Sequence, residues 1–494
     1  MWGPIDPIGT IRVGKGWAYG PISSPRIRAY PRTINKGRNE NCFIGRALQL
    51  RVEGSRRGRK GTEKLPTPDS HVDGEKGTKT IVYNTKRDSR KRGDEKKKKE
   101  KKIEKLKKDN SKKKEFHIID YTIRAFEAAW AAACKVEGST VVVPYGFVFL
   151  VKPITFSGPN CQSNIQFQLD GKIIAPTSSQ PWGSGLLQWL QFKNLKGITI
   201  FGKGVIDGQG SAWWNDCGRM PSTKPTALRF YGSKAVTVSG ITIQNSARTH
   251  LKFDNCIGVQ VFDIRISAPA DSPNTDGIHL QNSQDVTIYR ANLACGDDCI
   301  SIQTGCSNIY IHNINCGPGH GISIGALGAG KTKACVSNII VQDVTLHNTL
   351  TGVRIKTWQG GYGSVQGITF SNIQVYEVEI PIMIDQFYCA SDKSKCRNDT
   401  SAVAVSGINY VNIWGTYTVK ALHFACSNSL PCTGLSLANI ELTPLPSYNF
   451  ELRSSFCWKA YGTLRTRTVP PIDCLMPSKL SSTRVQSYGN SCWI

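Results

Sequence analysis

No run of about 18 consecutive apolar residues occurs anywhere in the 494-residue chain, so no membrane-spanning helix is expected. The most apolar stretch, Val141 to Val151, is broken by Pro144 and Gly146. Met1 to Arg28 lacks the charged start and apolar run of roughly 7–15 residues that a secretory signal requires. The 17 cysteines contain no Cys-x-x-Cys pair and the histidines are not at ligand spacing, which argues against a zinc site. Long amphipathic helical periodicity is absent after Cys134, which points away from a helical architecture. Acidic residues are scarce, 36 against 62 basic ones, for a formal charge of +26.

That excess is uneven. Residues 1–115 hold 33 basic and 14 acidic side chains, a surplus of 19, while the remaining 379 residues carry 29 against 22. The N-terminal quarter contains Arg56-Arg57-Gly58-Arg59-Lys60 and the lysine runs 96–99 and 112–114, with few apolar clusters. Such a composition buries too little surface to offset chain entropy. Residues 1–115 are therefore expected to be a basic low-complexity extension, disordered or mis-assembled. A nucleic-acid patch, a nuclear address or a basic arm gripping an acidic polymer are the functional alternatives.

Cysteine usage points to an oxidising compartment. Only Cys42 lies in the extension, and the others include the close pairs Cys299 and Cys316, Cys389 and Cys396, and Cys426 and Cys432. An even count at such spacings predicts disulfides. The glycosylation sequon Asn398-Asp399-Thr400 agrees with a secreted, extracellular chain.

The folded part, residues 116–494, is expected to open with a short helix over Ala125 to Cys134, rich in alanine and suited to capping an open first turn. From there the apolar pattern has period two. Its unit is a pair of alternating doublets: Val236-x-Val238 with Ile241-x-Ile243, Val259-x-Val261 with Ile264-x-Ile266, and Ile309-x-Ile311 with Ile314. Further units follow at Ile339-x-Val341, Ile368-x-Phe370 and Leu435-x-Leu437, with Asn, Ser and Gly punctuating between strands. A β-sandwich would not hold this register over so many units. The expected fold is all-β, a right-handed parallel β-helix.

One stretch carries chemistry on that frame. Gly277-Ile278-His279-Leu280, Cys299-Ile300-Ser301-Ile302 and Gly321-Ile322-Ser323-Ile324 align so that Asp276, Asp298 and His320 share a column at 22-residue intervals. One coil apart, such residues would stack about 4.8 Å from each other. With Asp297, three carboxyls and a histidine would meet in one patch. Like charges so close cannot all ionise at their free pKa values. Glycoside cleavage uses such a split, with one protonated carboxyl for the leaving oxygen and one ionised carboxylate on the other side. Arg354 and Lys356 would project to the same face with Ile355 inward, suiting an anionic substrate. Any one of these aspartates alone could be a turn cap, and the two cations alone a solvated face. The whole set in register selects a site.

Asn274-Thr275-Asp276, Gly296-Asp297-Asp298, Gly319-His320-Gly321 and Arg354-Ile355-Lys356, in this order, make the chain from about Phe116 onward resemble plant polygalacturonases of glycoside hydrolase family 28. The resemblance implies inverting hydrolysis of α-1,4-linked galacturonate in pectic polysaccharide, without metal or other cofactor. It implies Asp297 as general acid, Asp276 and Asp298 as activators of water, and His320 as a proton relay beside the acid. Arg354, Lys356 and Tyr388 would bind substrate, and Asn274 would hold water or sugar. An inverting pair of carboxyls would stand about 6.5–9.5 Å apart. The protein is expected to act as a monomer with no nucleic-acid or membrane partner, and Asp276→Asn or Asp298→Asn to abolish activity without loss of fold.

The start departs from the family. A Gly- and Asp-rich loop normally follows the Asp-Tyr pair, but here Asp120-Tyr121 runs directly into Thr122-Ile123-Arg124. That absence and the basic extension together make an alternative or mis-assembled N-terminal translation the expectation. The competing functions are another β-helical pectin enzyme (a rhamnogalacturonan hydrolase or a pectate lyase) and a non-catalytic binder of acidic polymers.

Overall fold

A computed structural model describes residues 10–13, 16–19, 101, 121–215, 218–389, 401–445, 452–477 and 492. The chain divides into two compact units, residues 1–26 with 116–494, and residues 27–115. Of the second unit only Lys101 is described, and the strands all belong to the first.

These strands stack in parallel coil after coil, and the coil is right-handed, as crossovers between parallel strands are. Among the described residues one sheet has 11 strands, from Ile154–Ser157 to Phe456–Trp458, and carries the site; the other has 20, an N-terminal hairpin included, and forms the remaining walls. The alternating doublets are the inner lining. Val236, Val259, Val286, Ile309, Ile339, Ile368, Ile408 and Leu435 pair in succession along the axis, each at most 1% exposed. Period two turns every second side chain inward, and β-branched residues fill a pleated interior well. On the site sheet the first coils stack phenylalanines, with Phe156, Phe192, Phe230 and Phe253 at 4.7, 5.4 and 5.1 Å between ring centroids.

The corners are made by asparagine, aspartate and glycine in the left-handed region. Asp343, Asn372, Asn412 and Asn439 occupy one corner column at φ 54°, 53°, 51° and 53°. A short polar side chain tolerates that conformation and here also bonds along the axis. Asn372 donates to Asp343 at 3.0 Å, Asn412 to Asn372 at 3.0 Å, and Asn439 to Asn412 at 2.9 Å.

The capping helix is present over residues 121–133, longer than expected at its start. Phe126, Ala129, Trp130 and Ala133 are buried, and Trp130 packs on Phe156 at 5.1 Å while its Nε1 donates to the Ser157 carbonyl at 3.1 Å. The Cys134–Cys161 disulfide ties the helix to the first coil. Ahead of it, strands Thr10–Val13 and Gly16–Tyr19 form a hairpin whose first strand pairs antiparallel with Thr140–Val143, within the stretch expected to lack structure. The remaining expectations for residues 1–115, Lys101 apart, lie outside the described residues.

Cys299–Cys316 and Cys426–Cys432 are bonded as expected, and Cys335–Cys492 and Cys457–Cys474 add two bridges not among the expected pairs. Cys389 is also disulfide-bonded, while Cys396 and the sequon lie outside the described residues. Cys256, Cys295 and Cys306 are free and buried. No helix among the described residues is long and apolar enough to cross a membrane.

Candidate active site

Strands Ile278–Gln281, Ile300–Ile302 and Ile322–Leu327 pair in parallel with Ile278, Ile300 and Ile322 in register. Asp276, Asp298 and His320 each precede those residues by two, so the 22-residue period does stack them on consecutive coils. The next coil, Thr351–Trp358, sets Arg354 beside Ser323 and Val353 beside Ile322. Ile355 is fully buried, and Arg354 and Lys356 take the opposite face.

The loops carrying the acids are tied to one another. Thr275 Oγ1 bonds Ser272 Oγ at 2.7 Å and accepts the Gly296 N–H at 2.9 Å, joining the Asn-Thr-Asp turn to the Gly-Asp-Asp turn. A Cβ on Gly296 would lie 1.9 Å from the Ser272 carbonyl oxygen, so only glycine fits there. On the coil above, the His320 N–H donates to the Asp297 carbonyl at 2.8 Å. Gly321 follows at φ 84°, its missing Cβ facing the Thr351 carbonyl at 2.1 Å.

Asp298 is the most enclosed of the three acids at 2% exposure. Its Oδ1 accepts from Arg354 Nη2 at 2.7 Å and Ser323 Oγ at 2.8 Å, and its Oδ2 accepts from Lys356 Nζ at 2.8 Å. Arg354 Nε also reaches Ser323 Oγ at 3.0 Å. One buried carboxylate thus meets two buried cations, each 6% exposed. These contacts add a stability cost to the expected loss of activity in Asp298→Asn. An amide there would strip two buried cations of their counter-charge, a change costing about 3–5 kcal/mol when one partner of a buried pair is removed.

Asp276 and Asp297 each have a histidine. His320 Nδ1 lies 3.0 Å from Asp297 Oδ1, and His279 Nδ1 lies 3.2 Å from Asp276 Oδ2. Their titration diverges. Burial raises the Asp276 carboxyl above the usual range, with the charges of Asp298 and Asp297 adding to the rise and His279 opposing it. Burial acts the same way on Asp297, but the hydrogen bond and charge of His320, the charge of Lys356 and the Asp298 N–H outweigh it and hold Asp297 low. Of the two, Asp276 therefore takes up a proton at the higher pH. Neighbouring carboxyls pushed apart in this way are the usual sign of acid and base chemistry.

The acids open onto a cleft of about 480 Å³ lined by Asn274, Asp276, Asp297, Asp298, Lys356 and Tyr388 among others. Arg354 stands behind Asp298 and His320 beside Asp297, both outside that lining. Asn274 is exposed, with φ 57° at the head of its turn. Tyr388 faces Lys356 at 5.3 Å and Trp358 edge-on at 5.4 Å. Burial raises its phenol above the usual value.

Four contributors carry no expectation from sequence: Thr275, His279, Ser323 and His250. His250 is wholly buried, and burial lowers its pKa to about 4, so the ring is neutral. Its Nε2 accepts the Ser246 N–H at 3.3 Å, which leaves Nδ1 to donate to the Asp276 carbonyl at 2.9 Å. Asp297, Asp298 and His320 offer donor atoms within 4.8 Å of one another. Arg354 and Lys356 already supply Asp298 with positive charge, so this group has the countercharge that a cation would otherwise bring.

Comparison with known proteins places this geometry. Residues 133–452 match the family model described as glycosyl hydrolases family 28. A polygalacturonase of Chamaecyparis obtusa is 44% identical over 327 residues, 64% of this chain and 63% of that protein. A probable polygalacturonase of Arabidopsis thaliana is 41% identical over 356 residues, 70% of this chain and 79% of that one. Among solved structures, an endo-xylogalacturonan hydrolase from Aspergillus tubingensis superposes with a TM-score of 0.59 at 21% identity, covering 67% of this chain and 96% of that one, and so shares the fold. The chain belongs to glycosyl hydrolases family 28.

Proposed function

We propose that the protein is a polygalacturonase that hydrolyses α-1,4-galacturonosyl linkages in pectic polysaccharide with inversion. The observation that carries this reading is the stack of Asp276, Asp298 and His320 on consecutive coils beside Asp297, with the three acids open to one cleft. Relatives named polygalacturonase support the substrate. Asp297 donates its proton to the leaving glycosidic oxygen, and the carboxylates of Asp276 and Asp298 draw the proton from water on the opposite side. The glycosidic bond breaks, the water's hydroxyl joins the anomeric carbon, its proton rests on the Asp276–Asp298 pair, and before the next turnover that pair releases a proton while Asp297 regains one.

The free-site titration sets a condition on this cycle. Asp297 must gain a proton although His320 and Lys356 hold it low. An anionic sugar supplies the change: its carboxylate, bound by Lys356 with Tyr388 alongside while Arg354 holds Asp298 from behind, offsets the lysine's charge, and the ring excludes water, so Asp297 rises towards the range of a general acid. Asn274 positions the water or the sugar. His320 carries protons to and from Asp297.

Disulfides and plant relatives support action outside the cell, and the enzyme works there as a monomer on the cell wall. The 116–494 span carries the catalytic coils and is the catalytic domain. Product analysis on polygalacturonate tests the reading. Saturated oligomers with new reducing ends are expected; products with an unsaturated end that absorb in the near ultraviolet would mark a lyase instead.

A further inference from the structure

The cleft has two electrostatic halves. The acids occupy the later coils, while the coils before them present cations. Lys252 lies in the outward column one coil before His279, and Arg229 one coil before Lys252. Lys224 and Arg248 stand on the wall of the same cleft. Neighbouring coils are about 4.8 Å apart, a step similar in length to a pyranose ring. A polymer lying along the sheet would therefore present roughly one sugar to each coil.

These cations are unequally engaged. Arg229 is committed, with Nη2 on Asp254 at 2.5 Å and Nη1 on Gln188 at 3.3 Å. Lys252 donates to a neutral group, Gln281 Oε1, at 2.9 Å. The side chains of Arg248 and Lys224 have no hydrogen bond or ion pair among the described residues, and Arg248 is exposed. Burial lowers the Lys252 pKa, Arg229 and Arg248 repel it further, and Asp254 and Asp276 only partly offset this. A solvated face would leave a lysine in water. Here it is half-buried, with Arg229 and Arg248 as well as Asp254 and Asp276 acting on it, and an incoming anion offsets the burial and the arginines' repulsion.

We propose that Lys252, Arg248 and Lys224 form a second carboxylate-binding subsite, one to two coils before the acids, which makes binding depend on free carboxyl groups in the sugars on that side of the cleaved bond. The proposal rests on the galacturonan reading above and deepens it. It assigns preference for long, unesterified runs to residues of this chain outside its four sequence signatures.

The test is calorimetric binding in an Asp297→Asn background, which prevents turnover, with hexagalacturonate as the free acid and as the full methyl ester. Replacing Arg248 and Lys252 together by Gln is expected to weaken free-acid binding about tenfold or more, as loss of charge-assisted contacts does. The loss should shrink as salt is raised. Methyl-ester binding should not change, and Arg248→Lys with Lys252→Arg should keep most of the free-acid affinity, which guards against a folding defect. Equal free-acid binding before and after the Gln changes would overturn the proposal, as would equal losses for acid and ester or no binding in the background itself. Hydrolysis by the unaltered chain is scored separately. Charge-dependent binding without hydrolysis would remove the enzymatic reading and keep the subsite; hydrolysis with charge-independent binding would do the reverse.

Discussion

Two columns run side by side along the site sheet, one residue apart on every strand. The inner one is Leu228, Leu251, Ile278, Ile300, Ile322, Val353, Ile382 and Leu422, none with measurable exposure. The outer one is Arg229, Lys252, His279, Ser301, Ser323, Arg354, Met383 and His423, of no common type. Each inner side chain contributes about 1.5–3 kcal/mol by burial. A slip of one residue would exchange the columns, sending the aliphatic row to water and the charges inside. The monotonous column therefore fixes the register, and the register brings the varied column and the acids beside it to the cleft. Stability and chemistry are consecutive letters of the same strand.

The contrast breaks first at Asp298, a cleft residue placed like core. Asp298→Asn should lower turnover on polygalacturonate about 100-fold or more and also destabilise the fold by about 3–5 kcal/mol. Urea melts alongside rate measurements would show both, and an intact melt would separate Asp298 from its two cations. Ile300→Ala tests the inner column: about 2–5 kcal/mol of stability should go, with the surviving folded fraction as active as before. Ser323→Ala should fall between the two kinds of residue, costing about 1.5–3 kcal/mol for a bond to a charged group, again read from urea melts. The smallest effect on stability belongs to His279→Gln. His279 opposes the rise of the Asp276 pKa, so its loss moves that pKa higher still. Asp276 must be ionised to act as base, and the acidic limb of kcat/KM should then shift to higher pH. A limb that stays in place would leave His279 without a part in the titration.

How much of this was legible in the chain depends on loop length. The coils holding Asp276, Asp298 and His320 are of equal length, so a constant interval revealed the stack. The coil from Ser323 to Arg354 is 31 residues, and no period could place Arg354 there; its signature did. Ser323 was invisible because Ile-Ser-Ile reads as ordinary alternation, and its value lies in a contact with Asp298. His250 left no mark either, since it acts through the Asp276 carbonyl and not through a side chain. The opposite drift of Asp276 and Asp297 depends on which histidine and which cation each one meets, which is a matter of rotamers. The Cys335–Cys492 disulfide joins positions 157 residues apart, too distant for spacing to pair.

The most direct measurement is the rate of reducing-end release from polygalacturonate by Asp297→Asn and by the unaltered protein, at equal folded concentration. Loss of about 100-fold or more is expected from removal of the general acid, with an unchanged melt. Release at the unaltered rate would show that the stacked carboxyls are not where the bond is broken.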